Sequence, residues 1–335
     1  MDKIKEYFKT PAISNSLLGL MWNPRWVKLK QDNPDLEDSD VSYFRIGSAL
    51  DCLLTSPERW TIDFKVVDAI RPYGLMGKFI DNLPGGLNPF SENSLYQEAY
   101  DKSGYKMSLD RVIKKLWETE DSFKYYEATR DVADDVTIIS KDEYDIVIKC
   151  KELILANEFI RPYFERSNEL VEILHQVPIY FTLEEENCKA LLDGIRINHL
   201  DRTIEPFDLK TSKSVYDFQS SFLQYGYYRQ CAFYQYALTT ENSPTRKYLD
   251  AGYTMKNFVF IVVENKISSS HPAIIYEVDP SDMLCGWIGG TVRGKKYKGI
   301  IELLNEYKFH RDNDYWDLSK ELLEQKGKIT MKIFD

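Results

Sequence analysis

Leu192-Asp193-Gly194-Ile195, then Pro206-Phe207-Asp208-Leu209-Lys210-Thr211, then Tyr228-Arg229-Gln230-Cys231-Ala232-Phe233-Tyr234: the reading of this chain turns on these three stretches and their order. The middle one is short and β-rich. On a strand, residues two apart project to the same face, so Asp208 and Lys210 point together while Leu209 faces the core. A carboxylate binds a hard cation through oxygen, and a neighbouring lysine holds or polarises a water. Asp193 lies fifteen residues upstream, at the end of a preceding strand. That spacing allows a return strand and a turn to set it beside Asp208. Two carboxylates and the Leu209 carbonyl then form a candidate Mg²⁺ site. Gln230 and Tyr234, four apart, share one helix face and can line the same cleft. Taken singly, each piece has a plainer reading. D-x-K marks a solvated strand edge, D-G a turn, and Gln230 and Tyr234 ordinary helix polar groups. The order and spacing carry the case.

Outward from this core, Val177 to Phe181, Cys188 to Leu192, Ile195 to His199 and Pro206 to Leu209 read as strands. The first two pair as a hairpin through the polar turn Glu184 to Asn187. A helix is predicted over Phe218 to Leu238, and two more strands over Asn257 to Val263 and Ala273 to Val278. A helical tail follows from about Ser281, interrupted at Gly289-Gly290. Upstream, Ser14 and Asn15 start a helix over residues 11–30, and an apolar segment runs from Ile46 to Leu54. Residues 82–93, with Pro84, Gly85, Gly86 and Pro89, read as a long loop and a candidate internal boundary. Ser140 and Glu143 form a capping box before a helix expected to reach about Phe159, with Ile139 and Tyr144 placed as a hydrophobic staple. The pattern predicts an α/β (α+β) fold with a mixed central sheet flanked by helices. Three parts are expected: a mainly helical N-terminal part with an insertion (1–135), a core (136–310) and a C-terminal tail (311–335).

The bulk properties narrow the classes. The 335 residues carry a net charge of −10, which argues mildly against a nucleic-acid binder but suits a site that collects divalent cations. No apolar run reaches the roughly 18 residues of a membrane span, and Met1 to Thr10 lacks the apolar stretch of a secretory signal. The five cysteines (Cys52, Cys150, Cys188, Cys231, Cys285) are scattered and form no CxxC pair, so a reducing cytoplasm is expected. No GxxxxGK[ST] loop and no G-x-S-x-G nucleophile motif occurs.

The ordered set resembles the PD-(D/E)XK nuclease superfamily, in particular its RecB-like and lambda-exonuclease-like members, and above all RecE-type phage exonucleases. The residues that carry the likeness are Cys188 to Asp193, the Asp208-Leu209-Lys210-Thr211 segment and the helix with Tyr227, Gln230 and Tyr234. Ile13 to Ser16 and Arg45 to Leu50 are similar to the same family's N-terminal region. The resemblance implies a restriction-endonuclease-like core and metal-dependent hydrolysis of DNA. Asp193, Asp208 and the Leu209 carbonyl would hold Mg²⁺, with Mn²⁺ able to replace it, as one ion or as two about 3.5–4 Å apart. Lys210 would orient the attacking water or stabilise charge at the phosphate, Gln230 would shape the site, and Tyr234 would support it. It further implies digestion of duplex DNA from an end in phage-type recombination in a bacterial host, a ring-shaped homo-oligomer, and a single-strand annealing protein as partner. Two alternatives stand beside this: an endonuclease or single-strand nuclease on the same fold, and a catalytically weakened relative that binds DNA or protein.

Two positions depart from the family pattern. Asp51 stands where many relatives carry His, either as a further ligand or as a helix-end carboxylate. Gln176 stands where relatives often carry Glu, with Glu172 a candidate substitute four residues earlier. His175 and His199 flank the strands and read as metal ligands or as surface or core histidines, the spacing specifying no zinc site. Arg293, Lys295, Lys296 and Lys298 grip phosphates or form a solvated helix end. Trp22, Arg25, Trp26, Lys28 and Lys30 stack on a frayed strand or pack into the core.

Overall fold

A computed structural model describes residues 3–33, 42–132, 136–165 and 167–329. Ten strands follow in chain order: β1 Phe64–Val67, β2 Thr137–Ser140, β3 Val171–Leu183, β4 Glu186–Asn198, β5 Thr203–Ser212, β6 Thr254–Met255, β7 Val259–Glu264, β8 Ile274–Glu277, β9 Gly290–Val292 and β10 Lys295–Tyr297. The main sheet runs β3-β4-β5-β7-β8, with β6 beside the start of β5. The β3-β4, β4-β5 and β7-β8 pairs are antiparallel and β5-β7 is parallel, so the sheet is mixed, as expected.

Helices cover both faces. On one side Ala232, Phe233, Ala237 and Leu238 of the Tyr227–Thr239 helix pack with β3 and β4, joined by Leu18 and by Leu303 and Leu304. On the other side the Ser42–Thr55 and Lys141–Ala156 helices supply Ala49, Leu50, Val147 and Ile154 against Phe207, Ile261 and Val263. Leu209 packs with this second group, so Asp208 and Lys210 point to the opposite face, as the period of two requires.

Several predicted elements change on folding. Cys188 to Leu192 and Ile195 to Asn198 belong to one strand, β4, because Gly194 continues the ladder opposite Phe207 and does not turn; the strand stops one residue short of His199. The β3-β4 turn is Glu184-Glu185, both with positive φ (49° and 68°), which matches the twist of a tight hairpin. The helix expected over 218–238 is two helices, Phe218–Gln224 and Tyr227–Thr239, divided by Gly226 at φ 70°. The helix expected over 11–30 breaks at Asn23: Ser14 caps Asn15–Gly19, and Pro24, which has no N–H to give, starts a new helix at its first position. The capping box of Ser140 and Glu143 forms in both directions. Its helix ends at Ala156, short of Phe159, where Asn157 turns its amide to the Ala273 carbonyl at 2.9 Å.

Residues 82–93 form a loop but no boundary. Leu87 within it is buried beside Phe79, Tyr96 and Tyr126, and its N–H donates to the Tyr126 hydroxyl at 2.7 Å. The segment between β1 and β2 has its two ends side by side, because those strands pair in parallel. The interrupted tail is a helix (Pro280–Ile288), the β9-β10 ribbon and a second helix (Ile300–Asn313) that runs through position 311. Residues 133–135, at the expected edge of the N-terminal part, and 330–335, the end of the expected tail, lie outside the described residues. Among the described residues no helix is long and apolar enough to cross a membrane.

Candidate active site

Three parts of the chain meet above β5. Asp208 is almost fully buried and pairs with the Lys210 ammonium on the same face. The Tyr227–Thr239 helix crosses that face, and Gln230 Nε2 donates to Asp208 Oδ1 at 2.7 Å. Lys210 Nζ lies 4.8 Å above the Tyr227 ring and 5.9 Å from that of Phe260, so its charge is held by an anion and by π faces together. Asp193 reaches across from β4 and accepts the Leu209 backbone N–H at Oδ2, 2.9 Å away.

Asp51 arrives from the Ser42–Thr55 helix. Its Oδ2 accepts from Gln176 Nε2 at 2.7 Å, while its Oδ1 is buried with no hydrogen-bond partner. Gln176 lies between the β3-β4 pairs His175–Gly194 and Val177–Leu192, at the height of Asp193. Its φ is 49°, in the left-handed region that a residue with a Cβ adopts only when its surroundings impose it. The strand faces reverse there. Leu192 and Ile195, three apart, enter the same cluster, which leaves Asp193 to the site while Gly194 lies against Phe207.

Burial and mutual repulsion dominate the electrostatics. Burial pushes the Asp51 carboxyl up to about 7, aided by the nearby Asp208 charge and opposed by the Gln176 hydrogen bond. Asp193 is raised by burial and by the charges of Asp208 and Asp51, against the pull of Lys210. Asp208 is raised by burial, with Lys210 and Gln230 opposing. For Lys210, burial acts downward, but Asp208, Tyr227 and Asp193 outweigh it, so the ammonium stays charged. Tyr234 is raised by burial and then by Asp208, Tyr7 and Asp193, which places it against the same cluster.

The donor set suits a hard divalent cation. Three carboxylates face one ammonium, so full ionisation leaves two negative charges uncompensated in a buried place, and one Asp51 oxygen has no partner. Among the described residues no three His, Cys, Asp or Glu side chains already converge as a ligand cage. The present partners are Gln176, Gln230, Lys210 and the Leu209 N–H.

Other expected candidates fall elsewhere. Glu172 accepts from the Tyr248 hydroxyl and lies 3.9 Å from His199, so it does not replace Gln176. His199 Nδ1 sits 3.1 Å from the Tyr253 hydroxyl. His175 stacks on Phe164 and is driven toward neutrality by burial, the behaviour of a core histidine. The cysteines are free. Trp22 is 75% exposed, which excludes core packing for that ring. Phe260 under Lys210 and Tyr7 near Tyr234 carried no signal in the sequence; only the fold brings them in.

No family model matches the chain, and no curated protein does. Among solved structures the chain is similar to the crystal structure of a "Putative exonuclease" from Eubacterium rectale, at 11% sequence identity and a TM-score of 0.47, over 100% of this chain and 94% of that one. A likeness of that degree decides nothing about the chemistry here, which rests on the geometry above.

Proposed function

We propose that this chain is a divalent-metal-dependent deoxyribonuclease of the PD-(D/E)XK type that degrades duplex DNA from an end. One observation carries the reading: Asp51, Asp193, Asp208, Lys210 and Gln230, from distant parts of the chain, come together in one buried cluster whose full ionisation would leave two negative charges without a cation. Asp193, Asp208, the Leu209 carbonyl and Asp51 would hold Mg²⁺ or Mn²⁺. Such an ion, when bound, lowers the pKa of a water and neutralises charge on a phosphate oxygen. Hydrolysis adds water across one P–O bond and yields a phosphomonoester and a hydroxyl. Lys210, held cationic by Asp208, orients the water or takes up charge at the phosphate. Gln230 fixes the rotamer of Asp208, and Tyr234 backs the cluster with an un-ionised hydroxyl.

Cleavage of an end-labelled linear duplex and a supercoiled circle, with Mg²⁺, Mn²⁺ or EDTA, tests this. Metal-dependent loss of the linear DNA alone, absent in Lys210→Ala, is expected. Cutting of the circle would move the reading to an endonuclease. Cleavage that survives EDTA would end it.

The carboxylates also set a pH dependence. Raised in the folded protein and near an ordinary value of roughly 4 when unfolded, they hold more protons in the folded state. Their contribution to stability is therefore present at low pH. It is lost as pH rises from about 4 through the Asp51 value of about 7. In EDTA, the melting temperature should fall between about pH 5 and 8 more in the wild type than in Asp51→Asn, and Mg²⁺ should restore more at the higher pH. Identical profiles for the two proteins would remove Asp51 from the cluster.

One feature favours a second reading, a binder with weakened catalysis. Gln176 is neutral and is already bonded to Asp51. No turnover with either metal, together with retained DNA affinity, would select it.

A further inference from the structure

Next to the site stands a basic surface that the hydrolytic chemistry does not use. Residues 289–299 contain four cations and no acid in a chain of net charge −10. They form the β9-β10 ribbon, which turns at Arg293-Gly294 with φ of 50° and 76°. Its base is pinched shut, since a Cβ on Gly299 would lie 2.3 Å from the Gly289 nitrogen. The ribbon is fastened to the site helix: the Tyr228 hydroxyl donates to the Lys298 carbonyl at 2.9 Å, and the Tyr228 and Tyr297 rings meet edge to face at 6.0 Å.

The cations divide into two sets. Lys296 and Lys298 are matched by Glu302 and Glu306, at 2.7 and 2.6 Å. Arg293 and Lys295 are exposed and meet no carboxylate among the described residues; Lys295 rests only on the Tyr297 ring, 5.3 Å away. Arg229 is the third unmatched cation. It is half buried, its Nη1 donates to the Tyr228 hydroxyl at 2.8 Å, and its Nε is buried without an acceptor. Its guanidinium lies along Gly226 and within 3.7 Å of where a Gly19 Cβ would stand. A partly desolvated guanidinium with no anion of its own is unusual, because buried charges are normally paired. It stands on the same helical turn as Tyr227 beneath Lys210 and Gln230 on Asp208, with its guanidinium turned to the ribbon side of that helix.

We propose that Arg229 and the ribbon residues Arg293 and Lys295 bind the sugar-phosphate backbone of a nucleic-acid strand entering the site. This rests on the nuclease reading and adds the surface that holds the substrate. Planar guanidinium groups suit bidentate phosphate contact, and the sugar-phosphate backbone offers a regular row of such anions. It also explains how an acidic protein would hold DNA: residues 289–299 set four cations together with no acid among them.

The test is binding of a short fluorescein-labelled duplex, followed by anisotropy in EDTA over a series of salt concentrations. The proteins are wild type, Arg293→Ala/Lys295→Ala and Arg229→Gln. The exposed ribbon pair carries little risk to folding, so it decides the matter if Arg229→Gln proves unstable. The pair should weaken binding about tenfold near 0.1 M salt and lower the slope of log K against log salt by about 2. Its metal-dependent turnover of bis(p-nitrophenyl) phosphate, too small to reach the ribbon, should match wild type. Wild-type affinity and slope in the ribbon variant would overturn this inference and leave the nuclease reading standing. Failure of the wild type to bind the duplex at any salt would overturn both.

Discussion

Asp208→Asn should leave the protein folded and lower DNA cleavage by more than about 10²-fold, the loss that follows removal even of the outer partners of metal ligands. The substitution keeps the shape of the side chain. Its Oδ1 still accepts from Gln230, as the carboxylate does at 2.7 Å. What goes is one negative charge from a buried set of three, together with the ion pair that holds Lys210. Asp51 and Asp193 then lose a repulsive neighbour, and both should ionise more readily. Stability in EDTA should accordingly hold or rise while activity collapses. That opposition separates a functional site from a structural ion pair, for which removing one partner lowers stability. Thermal melting by circular dichroism and gel assays on one preparation read both quantities. Near wild-type cleavage would dismiss Asp208 from the site, and a large drop in melting temperature would assign it a structural role instead.

Gly194→Val should be the most damaging single change to stability near the site. A Cβ there would lie 1.9 Å from Phe207 Cζ, with the Cε carbons at 2.3 and 2.4 Å. Gly194 and Phe207 face each other across the β4-β5 ladder, and the ring covers the glycine backbone. Phe207 has nowhere to go. It is fully buried, with Tyr163 at 5.2 Å and Phe164 and His175 each at 5.9 Å. Overpacking of this kind costs about 3 kcal/mol, a large part of the roughly 5–15 kcal/mol that stabilises a domain. It would also displace Asp193, one residue away. Denaturant unfolding measures the loss. A double variant with Phe207→Leu should recover part of it, because the two positions compete for one space. Strictly additive losses would show that the clash is not with Phe207.

Local spacing in the sequence was enough to determine several features. The period of two set Asp208 and Lys210 on one face with Leu209 on the other, and Ser140 with Glu143 marked a helix start. A polar turn between β-rich runs indicated the β3-β4 hairpin. These depend on backbone geometry within a few residues, which any context preserves. The same locality misled at Gly194, read as a turn signal but held in mid-strand by Phe207, and at 293–298, where a ribbon forms in place of a helix end. Only the tertiary structure decided which distant groups meet. It brought Asp51 to Gln176 from 125 residues away, chose Asp208 as the partner of Gln230, and set Tyr227 beneath Lys210. It also forced Gln176 into a left-handed conformation. Packing elsewhere on the sheet sets those meetings and brings three separate carboxylates close enough that burial, which no local pattern encodes, and mutual repulsion raise their pKa values together.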